Sequence, residues 1–119
     1  MRHLGQNKAI GNKAEAFVMR LLKKRRLKPV KAEAKQGYDI KVGKLFIEVK
    51  GTDNPLPNYF QLSEKEFDTA CKNKNYRIYW VDTKRRKLIK ILSRDDILQN
   101  SHVFVGYRLY LNKLRKRND

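Results

Sequence analysis

Two carboxylates and one lysine, Asp39, Glu48 and Lys50, interrupt the apolar stretch GYDIKVGKLFIEVKGT at residues 37–52. Acidic side chains are scarce in this chain of 119 residues, which has 12 Asp and Glu against 29 Lys and Arg. Carboxylate oxygens are the ligands that Mg²⁺ prefers, and Mg²⁺ keeps several of its waters when it binds. Two carboxylates, one such cation and one lysine would supply a Lewis acid, an activated water and a positive charge for a transition state. These residue types therefore predict metal-assisted hydrolysis of a phosphodiester bond.

A β-hairpin would bring these side chains together. Two alternating runs, residues 38–42 and 45–50, flank a Gly-Lys pair, which is typical of a two-residue type II′ turn. In that register Asp39 lies opposite Glu48, and Lys50 lies diagonal to Asp39 on the same face. The other face is expected to form the core, with Tyr38, Ile40, Val42, Leu45, Ile47 and Val49.

The expected pairing of the two carboxylates has a cost. Directly opposed side chains have Cβ atoms about 4.5–5.5 Å apart, where like charges repel and destabilise the pair. A bound cation would offset this repulsion. Alternatively, the face is an ordinary solvated surface on which Lys41 or Lys50 neutralises both acids without a metal. The hairpin pattern alone leaves both interpretations open.

A helix ahead of the hairpin adds a third carboxylate. Apolar side chains recur at i, i+3, i+4, i+7 and i+8 over residues 11–26, namely Ala14, Phe17, Val18, Leu21 and Leu22. This spacing predicts an amphipathic helix with Asn12 as its N-cap. Glu15 lies at the edge of the apolar stripe, where it could lean over the sheet as a third ligand. The spacing Asn12-x-x-Glu15 fits a capping box equally well, so both roles stay open.

The remaining periodicities predict a mixed sheet with few helices. A capping box, Ser63-x-x-Glu66, predicts a second helix that runs to about Lys72. The other expected elements are a short strand at 30–34, strands at 76–81 and 87–92, a short helix at 93–98 and a strand at 103–111. The order is helix, three strands, helix, strand, then a strand–helix–strand extension. We therefore expect an α/β or α+β fold in a single domain, residues 1–119.

These motifs, in this order, resemble the PD-(D/E)XK nuclease superfamily. The run G-N-K-A-E lies on the first helix, Y-D-I precedes the turn and I-E-V-K follows it. The superfamily's restriction-endonuclease-like core has the same element order, here over about residues 9–82, which leaves an extension at 83–112 and a basic tail at 113–119. Tyr38 replaces the proline of the superfamily's motif, a departure that the superfamily tolerates.

The resemblance points to two groups within the superfamily. The small size and basic charge are similar to those of archaeal and viral Holliday junction resolvases. The sequence EVKGT followed by FQLSEKE is similar to a sequence pattern of the Mrr-like restriction group. The sequence does not decide between a nuclease for branched DNA and a restriction-like nuclease for duplex DNA.

The resemblance implies a divalent-metal-dependent DNA endonuclease that uses Mg²⁺, with Mn²⁺ able to substitute. Asp39 and Glu48 would bind the metal together with the main-chain carbonyl of Val49. Lys50 would position or activate the attacking water and stabilise the transition state. Glu15 would complete the metal shell or act through a metal-bound water.

Three side chains between the hairpin and the second helix have two interpretations each. Gln61 corresponds loosely to a helper glutamine of some superfamily members, but an exposed Gln near a helix start is usually incidental. Tyr59 and Phe60 could stack on an unpaired base. The favoured interpretation is that these two aromatic side chains pack against the core.

The formal net charge of +17 favours a polyanionic partner, with nucleic acid ahead of an anionic membrane surface. The expected phosphate-binding residues are Lys23, Lys24, Arg25, Arg26, Lys35, Arg85, Arg86 and Arg115. Phosphate contacts give affinity and salt dependence without reading sequence. The sequence contains no helix-turn-helix or zinc-finger motif, so we expect recognition of a DNA shape such as a junction, flap or end. The alternatives are a non-catalytic nucleic-acid-binding module of the same fold and a basic structural protein that binds RNA.

A resolvase needs two active sites, so this interpretation predicts a homodimer. Phe104 and Tyr110 on the last expected strand could form its interface or cover the extension. No stretch has the apolar length of a membrane span, and residues 1–13 lack the apolar core of a signal peptide. The one cysteine, Cys71, fits a reducing compartment. The sequence therefore favours a cytoplasmic or nucleoid-associated location.

Overall fold

The computed structural model describes residues 4–54 and 60–101, which form a mixed α/β domain. The helices are α1 (Leu4–Lys24), α2 (Glu64–Lys72) and α3 (Arg94–Asn100). The strands are β1 (Val30–Lys31), β2 (Ile40–Val42), β3 (Leu45–Thr52), β4 (Tyr76–Asp82) and β5 (Lys87–Ser93). The expected fold class and the expected order of elements are confirmed up to α3. The strand expected at 103–111, with Phe104 and Tyr110, lies outside the described residues.

The five strands form one sheet in the order β1-β2-β3-β4-β5. β3 and β4 are parallel and are joined through α2, whereas the other neighbouring strands are antiparallel. The expected hairpin register is confirmed, with Val42 opposite Leu45 and Ile40 opposite Ile47. Gly43 has φ +56°, as the first position of a type II′ turn requires.

The sheet is covered on both faces, and each face has its own core. The core on the α1 side contains Ala14, Val18, Leu22, Ile40, Val42, Ile47, Val49, Tyr79 and Val81. The core on the side of α2 and α3 is smaller and contains Ala70, Tyr76, Ile78 and Ile97. In β3 alternate side chains therefore contact different helices, because successive residues of a strand point to opposite faces.

Helix α1 lies very close to β3 at one point. A Cβ atom on Gly51 would come within 2.7 Å of the Cβ of Ala14 and within 3.1 Å of the carbonyl oxygen of Ile10. Only glycine permits this approach of the helix to the strand. Ala14 directly precedes Glu15 in α1. The contact of Ala14 with Gly51 therefore sets the position of the Glu15 carboxylate relative to the sheet.

Three expectations about local structure were wrong. Helix α1 begins at Leu4 rather than near residue 11, so Asn12 lies inside the helix and caps nothing. The strand expected at 30–34 is only Val30–Lys31, because the chain turns at 34–37, where Lys35 and Gly37 have positive φ. Tyr38 does not join the Ile40 face; it packs against Phe46 on the α2 side, with 5.0 Å between ring centroids.

Among the described residues, no helix has both the length and the apolar character needed to cross a membrane. The exposed side chain of Cys71 is a free thiol.

Candidate active site

Glu48 lies in the middle of β3 and is almost fully buried, with 4% of its surface exposed. Its neighbours Ile47 and Val49 enter the α1-side core, so Glu48 must point to the face covered by α2 and α3. Lys50 points to the same face, two residues further along the strand. The expectation that Glu48 and Lys50 share a face is confirmed, but this face is not an ordinary solvated surface.

Asp39 is held in place by the segment just before β2. The Tyr76 hydroxyl donates a hydrogen bond to the carbonyl oxygen of Gly37 at 2.7 Å. Gly37 has φ +83°, and a Cβ atom there would collide with the Thr69 hydroxyl of α2. The segment thus fits tightly between β4 and α2, and only glycine can occupy its closest point of approach.

The expected direct pairing of Asp39 with Glu48 in the β-ladder was wrong. The regular ladder ends at Ile40, and the Asp39 N–H instead donates to the carbonyl oxygen of Ile47 at 2.8 Å. The Asp39 carboxylate accepts a hydrogen bond from the Val49 N–H at 2.8 Å. The two acids nevertheless lie close together, since both line one cleft and each carboxyl group acts on the pKa of the other.

Burial and mutual repulsion dominate the electrostatics of this pair. Burial, and secondly the charge of Asp39, raise the pKa of Glu48 to about 10. Burial also raises the pKa of Asp39, against the Val49 hydrogen bond that lowers it. Without a bound cation the two groups therefore share a proton at neutral pH rather than both ionising.

Lys50 lies between two carboxylates. Its Nζ is 3.3 Å from Glu48 Oε2 and 3.0 Å from Glu66 Oε1. Burial lowers the pKa of Lys50, but the charges of Glu48 and Glu66 outweigh it and hold the pKa above its usual value. Lys50 is therefore a fixed positive charge beside the Asp39–Glu48 pair, whereas Lys41, the other candidate for neutralising the acids, lies over the Phe46 ring instead.

Glu66 is a site residue that sequence reasoning missed. As expected, Ser63 and Glu66 form a capping box at the start of α2, in which each side chain accepts from the other residue's N–H at 3.0 Å. The same Glu66 Oε1 that caps the helix also binds Lys50. Burial raises the pKa of Glu66, but the neighbouring Glu48 carboxyl group, the Lys50 charge and the Ser63 N–H outweigh it and hold the pKa below its usual value. The capping box already accounted for a glutamate at this position, so the sequence spacing did not indicate that Glu66 also binds Lys50.

Glu15 approaches the pair from α1. Its charge raises the pKa of Asp39, and its carboxylate lies 3.4 Å from Lys31 Nζ. The capping-box interpretation of Glu15 was wrong, because α1 begins more than two turns earlier. The structure thus brings together Glu15, Asp39, Glu48 and Lys50, and it adds Glu66.

These carboxylates line an open cleft of about 630 Å³. Glu15, Asp39, Glu48 and Glu66 contribute acidic groups to its wall. The cleft is also lined by Lys31, Lys35 and Lys65. A negative centre surrounded by lysines can attract both a cation and the phosphates of a polyanion.

The donor set of the cleft fits a hard divalent cation. Among residues 4–54 and 60–101, no group of three His, Cys, Asp or Glu side chains surrounds one common metal position. Mg²⁺ does not need one, because it is usually bound through one or two carboxylates and retains waters. Asp39 and Glu48 would hold it, and its positive charge would offset their mutual repulsion, which adds to burial in raising the pKa of Glu48. The main-chain carbonyl of Val49 stays a predicted further ligand.

The other predicted site residues are dispersed. The predicted phosphate-binding residues that the structure describes are exposed, namely Lys23, Lys24, Arg25, Arg26, Lys35, Arg85 and Arg86. Of these only Lys35 lines the cleft, and Arg85 contacts Asp82 at 3.1 Å. Arg115 and Tyr59 lie outside the described residues. Gln61 is exposed and does not line the cleft, and Phe60 packs against the second core.

Comparison with known proteins gives a match to a protein family. A family model described as "Protein NO VEIN, C-terminal" matches residues 11–92. This family has a PD-(D/E)XK-like nuclease fold. The matched range extends from α1 into β5 and contains all five of the clustered residues. No curated protein and no solved structure matches the chain significantly.

Proposed function

The chain belongs to the Protein NO VEIN, C-terminal family, and from this membership and the buried carboxylates we propose that it is a divalent-metal-dependent DNA endonuclease. The observation that carries the proposal is Glu48, which is 4% exposed and lies against a second carboxylate and a lysine. Burying an ionisable group is costly even when it is paired, and a structural role would be filled better by an apolar residue. A metal site would explain why two carboxyl groups and a lysine are buried next to one another.

In the proposed reaction each clustered residue has a distinct task. Asp39 and Glu48 would hold the cation, and the Val49 N–H fixes the orientation of the Asp39 carboxylate. A Mg²⁺ ion bound there would supply Lewis acidity and would lower the pKa of a water that it binds. Lys50 directs an N–H toward the scissile phosphate and stabilises the negative charge that develops there. Glu15 accepts a hydrogen bond from a water in the cleft and orients it.

Glu66 makes this arrangement compatible with metal binding. In the structure Lys50 contacts both Glu48 and Glu66. If Glu48 held a cation instead of Lys50, the contact with Glu66 would still hold Lys50 in place as a charged group. Glu66 therefore positions Lys50 without touching the substrate.

We propose branched DNA, such as a Holliday junction or flap, as the substrate, and Mrr-like cleavage of duplex DNA as the alternative. The formal net charge of +17 supports recognition of DNA through its phosphates. A junction resolvase would work as a two-fold dimer with one active site for each of two strands. A second candidate function is a non-catalytic DNA-binding module, which the Lys50–Glu48 contact favours because it neutralises one acid without a metal.

The test is cleavage of labelled linear duplex, supercoiled plasmid, flap and four-way junction DNA in Mg²⁺, Mn²⁺ or EDTA. We expect cutting with either metal, none in EDTA, and none with Asp39→Asn, which keeps the size of the side chain and its hydrogen-bond acceptor. Paired symmetric nicks in the junction alone would indicate a resolvase, and cutting of plasmid or duplex would indicate the restriction-like alternative. Tight binding without cutting in any metal would refute the nuclease and leave the binding module.

A further inference from the structure

Trp80 is the single tryptophan of the chain, and its position in β4 is unusual. The flanking residues Tyr79 and Val81 are buried in the α1-side core, and Tyr76 and Ile78 are buried in the core on the other side. Trp80 is only half-buried and belongs to neither core. The largest side chain of this strand therefore does not serve mainly to fill the interior.

Trp80 lies in a row with two lysines. In the sheet register it is directly opposite Lys50 of β3 and directly opposite Lys90 of β5. Neighbouring strands are about 4.8 Å apart and directly opposed side chains share a face, so the three residues form a strip about 10 Å long. We name Lys50, Trp80 and Lys90 the cross-sheet strip.

The strip extends outward from the acidic cluster. At one end Lys50 contacts Glu48 and Glu66, which uses two of its three N–H donors. At the other end Lys90 is exposed, and Leu92, two residues further along β5, packs against the core under α2 and α3, so Lys90 points to the same face. Between them the Phe60 ring supports Trp80 edge to face, with 4.7 Å between ring centroids.

We propose that the cross-sheet strip binds an unpaired nucleic-acid strand, with one base stacked on Trp80 and the flanking phosphates at Lys50 and Lys90. An aromatic side chain between cations is the arrangement that single-stranded nucleic acid requires, because every base has a π-face and every nucleotide carries a phosphate. In a duplex the faces of the bases are covered by their neighbours, so a duplex can offer the strip only phosphates.

The binding of an unpaired strand by the cross-sheet strip does not depend on the proposed nuclease function. Its consequence for cleavage rests on that function. Because Lys50 belongs to both the strip and the acidic cluster, a bound strand would place the phosphate next to the stacked base at the cleavage site. The substrate would then carry at least one unpaired nucleotide beside the scissile bond. A flap, a junction with open arms or a frayed end meets this requirement.

The test is tryptophan fluorescence in EDTA, where binding is measured without cleavage. Since Trp80 is the chain's one tryptophan, any quenching reports on this residue alone. We expect saturable quenching by an oligodeoxythymidine strand and much weaker quenching by a hairpin duplex of equal charge at the same salt concentration. An oligouridine strand distinguishes a general single-strand site from one selective for DNA.

Variants identify the strip as the site. By anisotropy of a labelled strand, Trp80→Leu should weaken binding about tenfold or more, whereas Trp80→Phe, which retains a stacking ring, should bind within a few-fold of the wild type. Lys90→Met should weaken binding and lower the salt slope by about 1. Lys44→Met, in the exposed β2–β3 turn, removes the same charge away from the strip and serves as the control.

Several outcomes would overturn the inference. Equal quenching by duplex and single strand would do so, as would equal losses for Lys90→Met and Lys44→Met. If Trp80→Leu does not fold, the comparison of wild type, Trp80→Phe and Lys90→Met still decides. Because all these measurements are made in EDTA, a strip that binds as expected in a protein that never cleaves DNA would refute the proposed function while leaving the inference intact.

Discussion

The two faces of the sheet are built from the same strands but contain different chemistry. In β3 the adjacent residues Ile47 and Glu48 are 0% and 4% exposed. Ile47 is one of nine buried apolar side chains under α1, whereas Glu48 faces a core of four and a group of charged residues under α2. Burial alone therefore does not distinguish a structural residue from a functional one. What distinguishes them is whether the surrounding groups compensate the charge and the hydrogen-bonding groups of the buried side chain.

The difference has an energetic meaning. The α1 face gains stability from apolar burial, at about 25 cal/mol per Å² removed from water. On the α2 face, desolvation of Glu48, Lys50 and Asp39 opposes folding, and buried ion pairs are often less stable than apolar replacements. We therefore expect mutations to separate the two faces: changes under α1 lower stability, and changes in the cluster lower activity.

The largest expected effect comes from the neighbours Glu48 and Ile47. Glu48→Gln should lower the cleavage rate on the order of 10³-fold, because it removes a metal ligand and its charge. Its free energy of unfolding should be unchanged or higher at neutral pH, because an amide needs neither the proton that the folded wild type holds at Glu48 nor the burial of a charge. Ile47→Val should leave cleavage nearly unchanged and cost about 1 kcal/mol of stability.

Cleavage rates at saturating Mg²⁺ and urea unfolding in EDTA measure these two effects on the same preparations. The contrast between the faces would fail if both variants lost activity in proportion to their loss of stability. It would also fail if Glu48→Gln strongly destabilised the protein, because the carboxylate would then have a structural role.

The second prediction concerns pH. The pKa of Glu48 is about 10 in the folded protein and close to 4.5 in the unfolded chain. Between these values the folded state holds a proton that the unfolded state has released, so the free energy of unfolding falls as the pH rises. The slope from this group is at most about 1.4 kcal/mol per pH unit. The contribution of Glu48 to the free energy of unfolding is largest below pH 4.5 and is lost as the pH rises to about 10.

Urea unfolding of wild type and Glu48→Gln in EDTA at several pH values between 5 and 9 isolates this contribution. The wild type should lose stability relative to the variant as the pH rises. Saturating Mg²⁺ should reduce the wild-type slope, because the cation requires an ionised Glu48 in the folded state. Parallel curves for the two proteins would show that Glu48 ionises normally and that the acidic face is no different from a solvated one.

Local patterns predicted the strands and their pairing well because each depends on neighbouring residues. The alternation over 38–50 and the Gly43 turn were enough to predict the β2–β3 register, and with it a shared face for Glu48 and Lys50. The capping box at Ser63 likewise predicted the start of α2. These features require no knowledge of distant contacts.

The errors concern contacts between elements that are distant in sequence. Tyr38 changes faces because the Tyr76 hydroxyl and α2 hold the Gly37 segment out of the regular ladder. The alternation of apolar and polar residues does not indicate that the Gly37 segment packs against Tyr76 and α2. Glu66 was missed for the same reason: its bond to Lys50 spans 16 residues and exists only because α2 covers β3.

The two capping boxes provide the smallest and most discriminating prediction. Glu66 and Asp96 occupy the same position in their boxes, and each accepts the N-cap N–H at 3.0 Å. Glu66→Gln and Asp96→Asn both keep an oxygen acceptor for that bond, so each should lower the melting temperature only slightly. Glu66→Gln should also lower the cleavage rate on the order of tenfold, because Lys50 loses its second carboxylate, whereas Asp96→Asn should not.

A readout that reports on Lys50 separates positioning from simple destabilisation. If Glu66 positions Lys50, Glu66→Gln should lower kcat with little change in KM, and Glu66→Asp, a shorter carboxylate, should restore part of the rate. A loss of activity that follows the melting temperature equally in both box variants would mean that Glu66 acts only as a cap. In that case the acidic face would consist of Asp39, Glu48, Lys50 and Glu15 alone, and Lys50 would depend on Glu48 for its position. Metal binding would then have to compete with that contact, and the Mg²⁺ concentration needed for half-maximal cleavage should be the same in the wild type and Glu66→Gln.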